Sequence, residues 1–113
     1  MLRNFMLLTL LSLLPASALA ECVVLLHGLG RVSNSMSELE RKLRPAGYSV
    51  ANILYPSRSY SVAVLAEDAI GRGLAQCRDM QGDKLHFITH TLGVILLRYY
   101  LRKHSIDELG RAV

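Results

Sequence analysis

Thr91 is the residue of this 113-residue chain best placed by its neighbours to do chemistry. It lies in "THTLG" (89–93), between the apolar run "LHFI" and the helix-like "VILLRYYLRK". A strand that runs into a tight turn, with a helix starting at once, is a layout that presents a nucleophilic oxygen. The chemistry would be attack on a carbonyl carbon, for which a threonine hydroxyl serves when a base is adjacent. The extra methyl of threonine works against this. It crowds both a strained turn and the approach to a carbonyl.

His27 and His90 lie closest in sequence to the candidate loops and invite assignment as the base. His86 alternates along a strand and His104 ends a helix, so neither needs a catalytic role. Two cysteines and four histidines, none at ligand spacing, predict no metal site, and no cofactor is expected. "HGLGR" follows a strand but lacks the three-glycine spacing, and the lysine or acidic residue, of a nucleotide or phosphate loop.

The elements that must position Thr91 repeat a strand–helix unit. "CVVLLHGLGR" opens with an unbroken apolar run at 23–26, the mark of a strand covered on both faces. In "SNSMSELERKLRPAG" a capping box is expected, Ser37 at the cap and Glu40 at the third position. Leu39 and Leu43 share one face of that helix, which ends at Pro45 and Gly47. "YSVANILYPS" reads as a second strand stopped at Pro56. "SVAVLAEDAIGRGLAQC" places Leu65, Ala69 or Ile70, Leu74 and Cys77 on one helical stripe. "LHFIT" is the third strand and "LGVILLRYYLRK" the third helix. This order predicts an α/β domain, a three-stranded parallel sheet with alternating helices and right-handed crossovers.

Ligands of such sheets bind at the C-terminal ends of the strands. The loops there are "HGLGRVSNS", "YPSRSYS" and "THTLG", so all three unusual segments fall on one rim. Cys22 falls at the opposite edge, and the helix ending at Cys77 runs back toward it. That topology predicts a Cys22–Cys77 disulfide, with a simply buried Cys77 as the alternative.

The first twenty residues, "MLRNFMLLTLLSLLPASALA", carry one charge at Arg3, an apolar run over 5–14, and small residues at Ala18 and Ala20. That pattern predicts a cleaved secretory signal, the run being about half the length that spans a bilayer. Glu21 stands where a lipoprotein needs a small residue, which argues against lipidation of Cys22. The domain is then 21–113, secreted or periplasmic, in a compartment that permits disulfides. Of 13 basic and 9 acidic residues, only Arg3 leaves with the signal. The basic excess near the C-terminus lacks aromatic partners and reads as a solvated helix face. No nucleic-acid partner is expected.

Taken together, "HGLG" at 27–30, "YPS" at 55–57 and "THTLG" at 89–93, in strand–turn–helix settings, resemble the N-terminal portion of an α/β-hydrolase. The likeness is nearest to secreted bacterial lipases and esterases. It implies a nucleophile position at Thr91, where that family's Gly-x-Ser-x-Gly elbow has serine. It implies oxyanion-hole donors from the backbone of Leu29 and Leu92, and supporting roles for His27, Gly28, Gly30, His90 and Gly93. Gly28 and Gly30 would bring the first loop close to the substrate, and His90 would point away from the nucleophile. Thr89 departs from the motif's first glycine, and Val94 from a second glycine common in lipases.

The family takes its base from a histidine late in the domain, after an acid. Here Asp107 and Glu108 are the only acids beyond Thr91, and no histidine follows them. The resemblance therefore implies a partial α/β-hydrolase fold, truncated before the later strands, with "LGRAV" reading as a strand cut off as it enters. The expectation is a catalytically inactive form of a carboxylic-ester hydrolase, whose intact relatives would act on lipid-like or small esters. The alternative is an exported, non-enzymatic interaction module that docks or self-associates through the incomplete sheet edge.

Overall fold

Val23, Val24, Leu25 and Leu26 are all buried, as an unbroken apolar run requires when its strand lies in the middle of a sheet covered on both faces. The computed structural model describes residues 20–30 and 33–113. The expected signal segment, apart from Ala20, lies outside the described residues. Strand β1 (Glu21–Leu26) pairs in parallel with β2 (Ser49–Ile53) on one side and β3 (Lys84–Thr89) on the other. A further strand, β4 (Leu109–Ala112), pairs in parallel with β3 and gives the order β2-β1-β3-β4.

Among the described residues the sheet therefore has four strands, not the three that the sequence predicts. "LGRAV" does not stop at the threshold of the sheet but joins its ladder. Leu85 N–H donates to Glu108 O at 2.9 Å, Thr89 N–H to Val113 O at 2.8 Å, and Val113 N–H to Phe87 O at 2.9 Å. The pairing is irregular between Leu85 and Phe87. There the N–H of Arg111 donates to His86 Nδ1 at 2.9 Å instead of to a carbonyl. Leu109 is the one residue of β4 withdrawn from full exposure, so the strand shows no apolar period. Its pairing rests on these main-chain bonds, with His86 Nδ1 filling the irregular place.

Helices α2 (Val62–Asp79) and α3 (Leu92–Lys103) cover one face of the sheet. Leu65, Ile70, Leu74 and Leu96 pack there on Val24, Leu26, Ile53 and Phe87. Helix α1 (Ser37–Leu43) follows a 3-10 turn (Ser33–Met36) and covers the other face, where Met36, Leu39 and Leu43 meet Val23, Leu25 and Val50. The stripe expected on α2 is the buried one, from Leu65 through Cys77. Its start is capped by Ser61, whose Oγ accepts from Val64 N–H at 3.3 Å.

The capping box on α1 does not form. Met36 takes the cap position without a side-chain hydrogen bond. Glu40 instead accepts from Arg44 Nε at 3.0 Å and from Asn52 Nδ2 at 3.1 Å. The bond from Arg44, above all, holds the Glu40 carboxyl below its usual range. A longer-range partner thus outcompetes the local one.

Cys22 and Cys77 form the predicted disulfide, joining the start of β1 to the last turn of α2. Both are fully buried. At the other end of the sheet, the chain leaves β1 toward the face covered by α1 and leaves β3 toward the face covered by α3. Diverging exits of neighbouring strands mark the rim where sheets of this kind bind ligands.

Candidate active site at Thr91

Thr91 occupies the cap position of α3 with φ 47° and ψ −104°. Side chains rarely take a positive φ, and a β-branched residue there is strained. The turn is held by Gly93 N–H donating to His90 O and Val94 N–H donating to Thr91 O, each at 3.0 Å. Gly93 lets α3 start directly against β1: a Cβ on it would come within 2.9 Å of both Leu26 Cβ and Leu26 O. The strained turn thus rests on close packing beneath it.

The first loop closes over this turn. A Cβ on Gly28 would collide with Thr91 Oγ1 and lie 2.7 Å from His90 Nδ1. Only a glycine fits. The His90 imidazole therefore does not turn fully away, since its Nδ1 and the Thr91 hydroxyl crowd one point of the loop. The backbone N–H of Leu29 donates to Thr91 Oγ1 at 3.2 Å. Leu92 is the first residue of α3, where an N–H has no partner within the helix. Of the expected donors, Leu29 is thus engaged with the hydroxyl from the first loop, and Leu92 follows Thr91 as the first residue of α3.

His27 is buried and fully committed. Its Nε2 receives the Tyr55 N–H at 3.3 Å, and its Nδ1 lies 2.9 Å from Gly28 O. An amide can only donate and a carbonyl only accept, so the proton sits on Nδ1. The ring stacks on that of Tyr55, with centroids 4.0 Å apart, and the Tyr55 hydroxyl donates to His27 O. Burial pushes the Tyr55 phenol up to about 12. With both nitrogens occupied, His27 ties the β1 loop to the β2 loop. It has no free nitrogen with which to take a proton from Thr91.

Sequence reading assigned no separate role to Tyr55 or Ser57, although "YPS" was singled out. Ser57 Oγ accepts from Gly30 N–H at 2.8 Å. Two hydroxyls from neighbouring loops thus hold successive N–H groups of the first loop, Thr91 at Leu29 and Ser57 at Gly30. Serine and threonine in rim loops were the available signal. Their common target was not visible in it.

The described residues bring no acid–histidine pair to Thr91, and its Oγ1 has Leu29 N–H as its hydrogen-bond partner among them. Glu108 is bound by Arg78 at 2.7 and 3.1 Å, which holds its carboxyl below the usual range. Its carbonyl pairs with Leu85 at the start of β3, whereas Thr91 follows the end of that strand. His86 and His104 face Glu21 and Glu67, respectively. Among the described residues no cluster of histidine, cysteine and carboxylates could hold a metal ion. No helix among them is long and apolar enough to cross a membrane.

No family model and no curated protein matches the chain. Among solved structures, an extracellular α/β-hydrolase from a Paenibacillus species superposes with a TM-score of 0.58 at 17% identity. The shared feature is the α/β-hydrolase fold. The match covers 80% of this chain and 38% of the other, so this chain spans well under half of that protein's length. That protein is described as sharing structural and functional homology with tobacco salicylic acid binding protein 2. At such low identity the superposition carries over the arrangement of strands and helices and assigns no residue a role.

Proposed function

We propose that this chain is an exported α/β-hydrolase-fold protein of the lipase or carboxylic-ester hydrolase type that does not, as it stands, turn esters over. The observation that carries both halves is the Thr91 turn. A hydroxyl on a positive-φ corner, bonded by the Leu29 N–H and followed by the unpartnered first N–H of α3 at Leu92, supports a site for an ester carbonyl. A competent relative would form an acyl–oxygen bond at this position, expel the alcohol, and release the acid to water. Here the hydroxyl accepts from Leu29 N–H, and among the described residues no carboxylate-oriented imidazole is bonded to it.

The surface around the turn supports a lipid-like or small ester as ligand. Leu29, Val94 and Ile95 are exposed beside Thr91, an apolar border that an acyl chain would cover. Export agrees with the buried Cys22–Cys77 bond, which suits an oxidising compartment. The test is turnover of short- and long-chain p-nitrophenyl esters by the natural chain, Thr91→Ser and Thr91→Ala. All three are expected at background. Turnover by the natural chain that disappears in Thr91→Ala would refute the inactive reading.

A second reading is favoured by β4. This strand pairs with β3 on one side only, its Gly110, Arg111 and Ala112 are exposed, and a cleft of about 640 Å³ opens beside it between Tyr48, His86 and Arg111. Edge strands pair with other chains, so this edge suits an interaction module or self-association. A concentration series by light scattering decides it. A defined oligomer without ester turnover supports the module, and a monomer throughout removes the self-association reading.

A further inference from the structure

Arg58, like Arg98 and Arg102, holds no carboxylate among the described residues. Arg41, Arg44, Arg72 and Arg78 each hold one, on Glu38, Glu40, Asp68 and Glu108. Arg58 makes no ion pair or hydrogen bond with any described residue. Instead its guanidinium packs against Gly30, with Cζ 2.8 Å and Nε 2.9 Å from where a Cβ would stand. Gly30 has φ 70°, a backbone conformation that favours glycine.

Beside it, Ser57 is buried and accepts from Gly30 N–H. A hydroxyl that accepts one bond still has a proton to give, and no described residue receives it. The two donors border a cleft of about 530 Å³ walled by Leu54, Tyr55 and Pro56. Leu54 is itself fixed by Arg72, which donates to its carbonyl at 2.7 Å. The cleft is therefore apolar along one wall and, at its rim, carries an exposed guanidinium with no ion pair and a hydroxyl proton with no acceptor among the described residues. Those are the parts that recognise a carboxylate, which a guanidinium binds through two parallel N–H groups.

The cleft and Thr91 meet the same loop two residues apart. Gly28 covers the Thr91 hydroxyl and Gly30 carries Arg58, and two residues of chain span at most about 7 Å. We propose that Arg58, with Ser57, forms a carboxylate subsite beside Thr91, so that the ligand is an ester bearing a second, free carboxylate. A monoester of a short dicarboxylic acid fits, its charged end on Arg58 and its ester carbonyl at Leu29 and Leu92. This rests on the proposed ester-type site and adds the ligand's charge to it. The inference concerns binding, with no bond made or broken.

The test is titration of the full-length chain with monomethyl succinate, dimethyl succinate and butyrate, read from backbone amide shifts. Monomethyl succinate is expected to shift Gly30 and Leu92 together and to bind about tenfold or more tighter than the uncharged diester. Arg58→Gln is expected to abolish that advantage and leave the diester unchanged, while Arg98→Gln, an exposed arginine on α3, is expected to change nothing. Equal binding of monoester and diester, no binding of the monoester, or indifference to Arg58→Gln would each overturn the subsite. If monoester and butyrate bind alike through Arg58 and Leu92 does not respond, the carboxylate subsite stands and the ester reading of Thr91 falls.

Discussion

The backbone N–H of Leu29 donates to Thr91 Oγ1 at 3.2 Å, across 62 residues of sequence. One bond therefore joins the loop after β1 to the turn after β3, and it employs the donor that an ester oxygen would need. Thr91→Val, which keeps the branching and removes the acceptor, should loosen the first loop. The amide of Leu29 is expected to exchange with solvent at least about fivefold faster than in the natural chain, given about 1 kcal/mol for a neutral bond. Unchanged exchange would show that the bond does not hold the loop.

The positive φ of Thr91 has its own consequence for stability. Thr91→Ala and Thr91→Gly both lose the hydroxyl, but only glycine takes φ 47° without strain. The glycine variant is expected to be more stable than the alanine variant by about 1 kcal/mol. Chemical denaturation of the pair measures this, and the opposite order would mean that the corner relaxes.

Two glycines on neighbouring helices should respond in opposite directions to alanine. Gly93→Ala forces a Cβ to within 2.9 Å of Leu26 backbone and side chain, and should cost about 1–3 kcal/mol. Gly71, inside α2, has nothing within 4 Å of the added carbon. Gly71→Ala should gain about 0.5–1 kcal/mol from helix propensity alone. Urea midpoints of the two variants check the pair.

Tyr55 predicts an alkaline limit. Its phenol ionises near 12 when folded, against about 10 for a free tyrosine. The folded state thus binds that proton more tightly than the unfolded state does. The associated stability is complete below about pH 10 and is lost as pH rises toward 12. Of five tyrosines, Tyr55 should ionise last in an absorbance titration, together with unfolding. Tyr55→Phe should lose stability at neutral pH, where it lacks the bond to His27 O, and should lose the late absorbance step.

The Cys22–Cys77 bond closes a sequence separation of 55, which corresponds to about 4 kcal/mol of chain entropy in the unfolded state. Both cysteines are buried, so the native protein should show no titratable thiol and resist mild reductant. Two thiols should appear only when reductant is combined with denaturant, and the midpoint of unfolding should fall sharply on reduction.

Much of this arrangement was legible because its signals are local. The apolar run at 23–26, the stripe from Leu65 to Cys77 and the strand–turn–helix around Thr91 each carry their own period or break. Their topology was enough to bring Cys22 to Cys77. What escaped depends on side chains meeting across the fold. The stretch "LGRAV" reads as a strand, but that it completes its pairing with β3, through main-chain bonds and His86 Nδ1 on the Arg111 N–H, does not show in a sequence without an apolar period. Glu40 leaves the expected capping box for Arg44 and Asn52. Ser57 and Thr91 converge on consecutive amides of one loop, and no spacing along the chain encodes that convergence.

The central claim is that Thr91 occupies a nucleophile's corner without a nucleophile's reactivity. Incubation of the natural chain with an alkyl fluorophosphonate, followed by intact mass measurement, tests it directly, because the reagent phosphonylates only an activated hydroxyl. The mass is expected to remain that of the unmodified chain after prolonged exposure. A stoichiometric adduct that maps to Thr91 and is absent from Thr91→Ala would contradict the account.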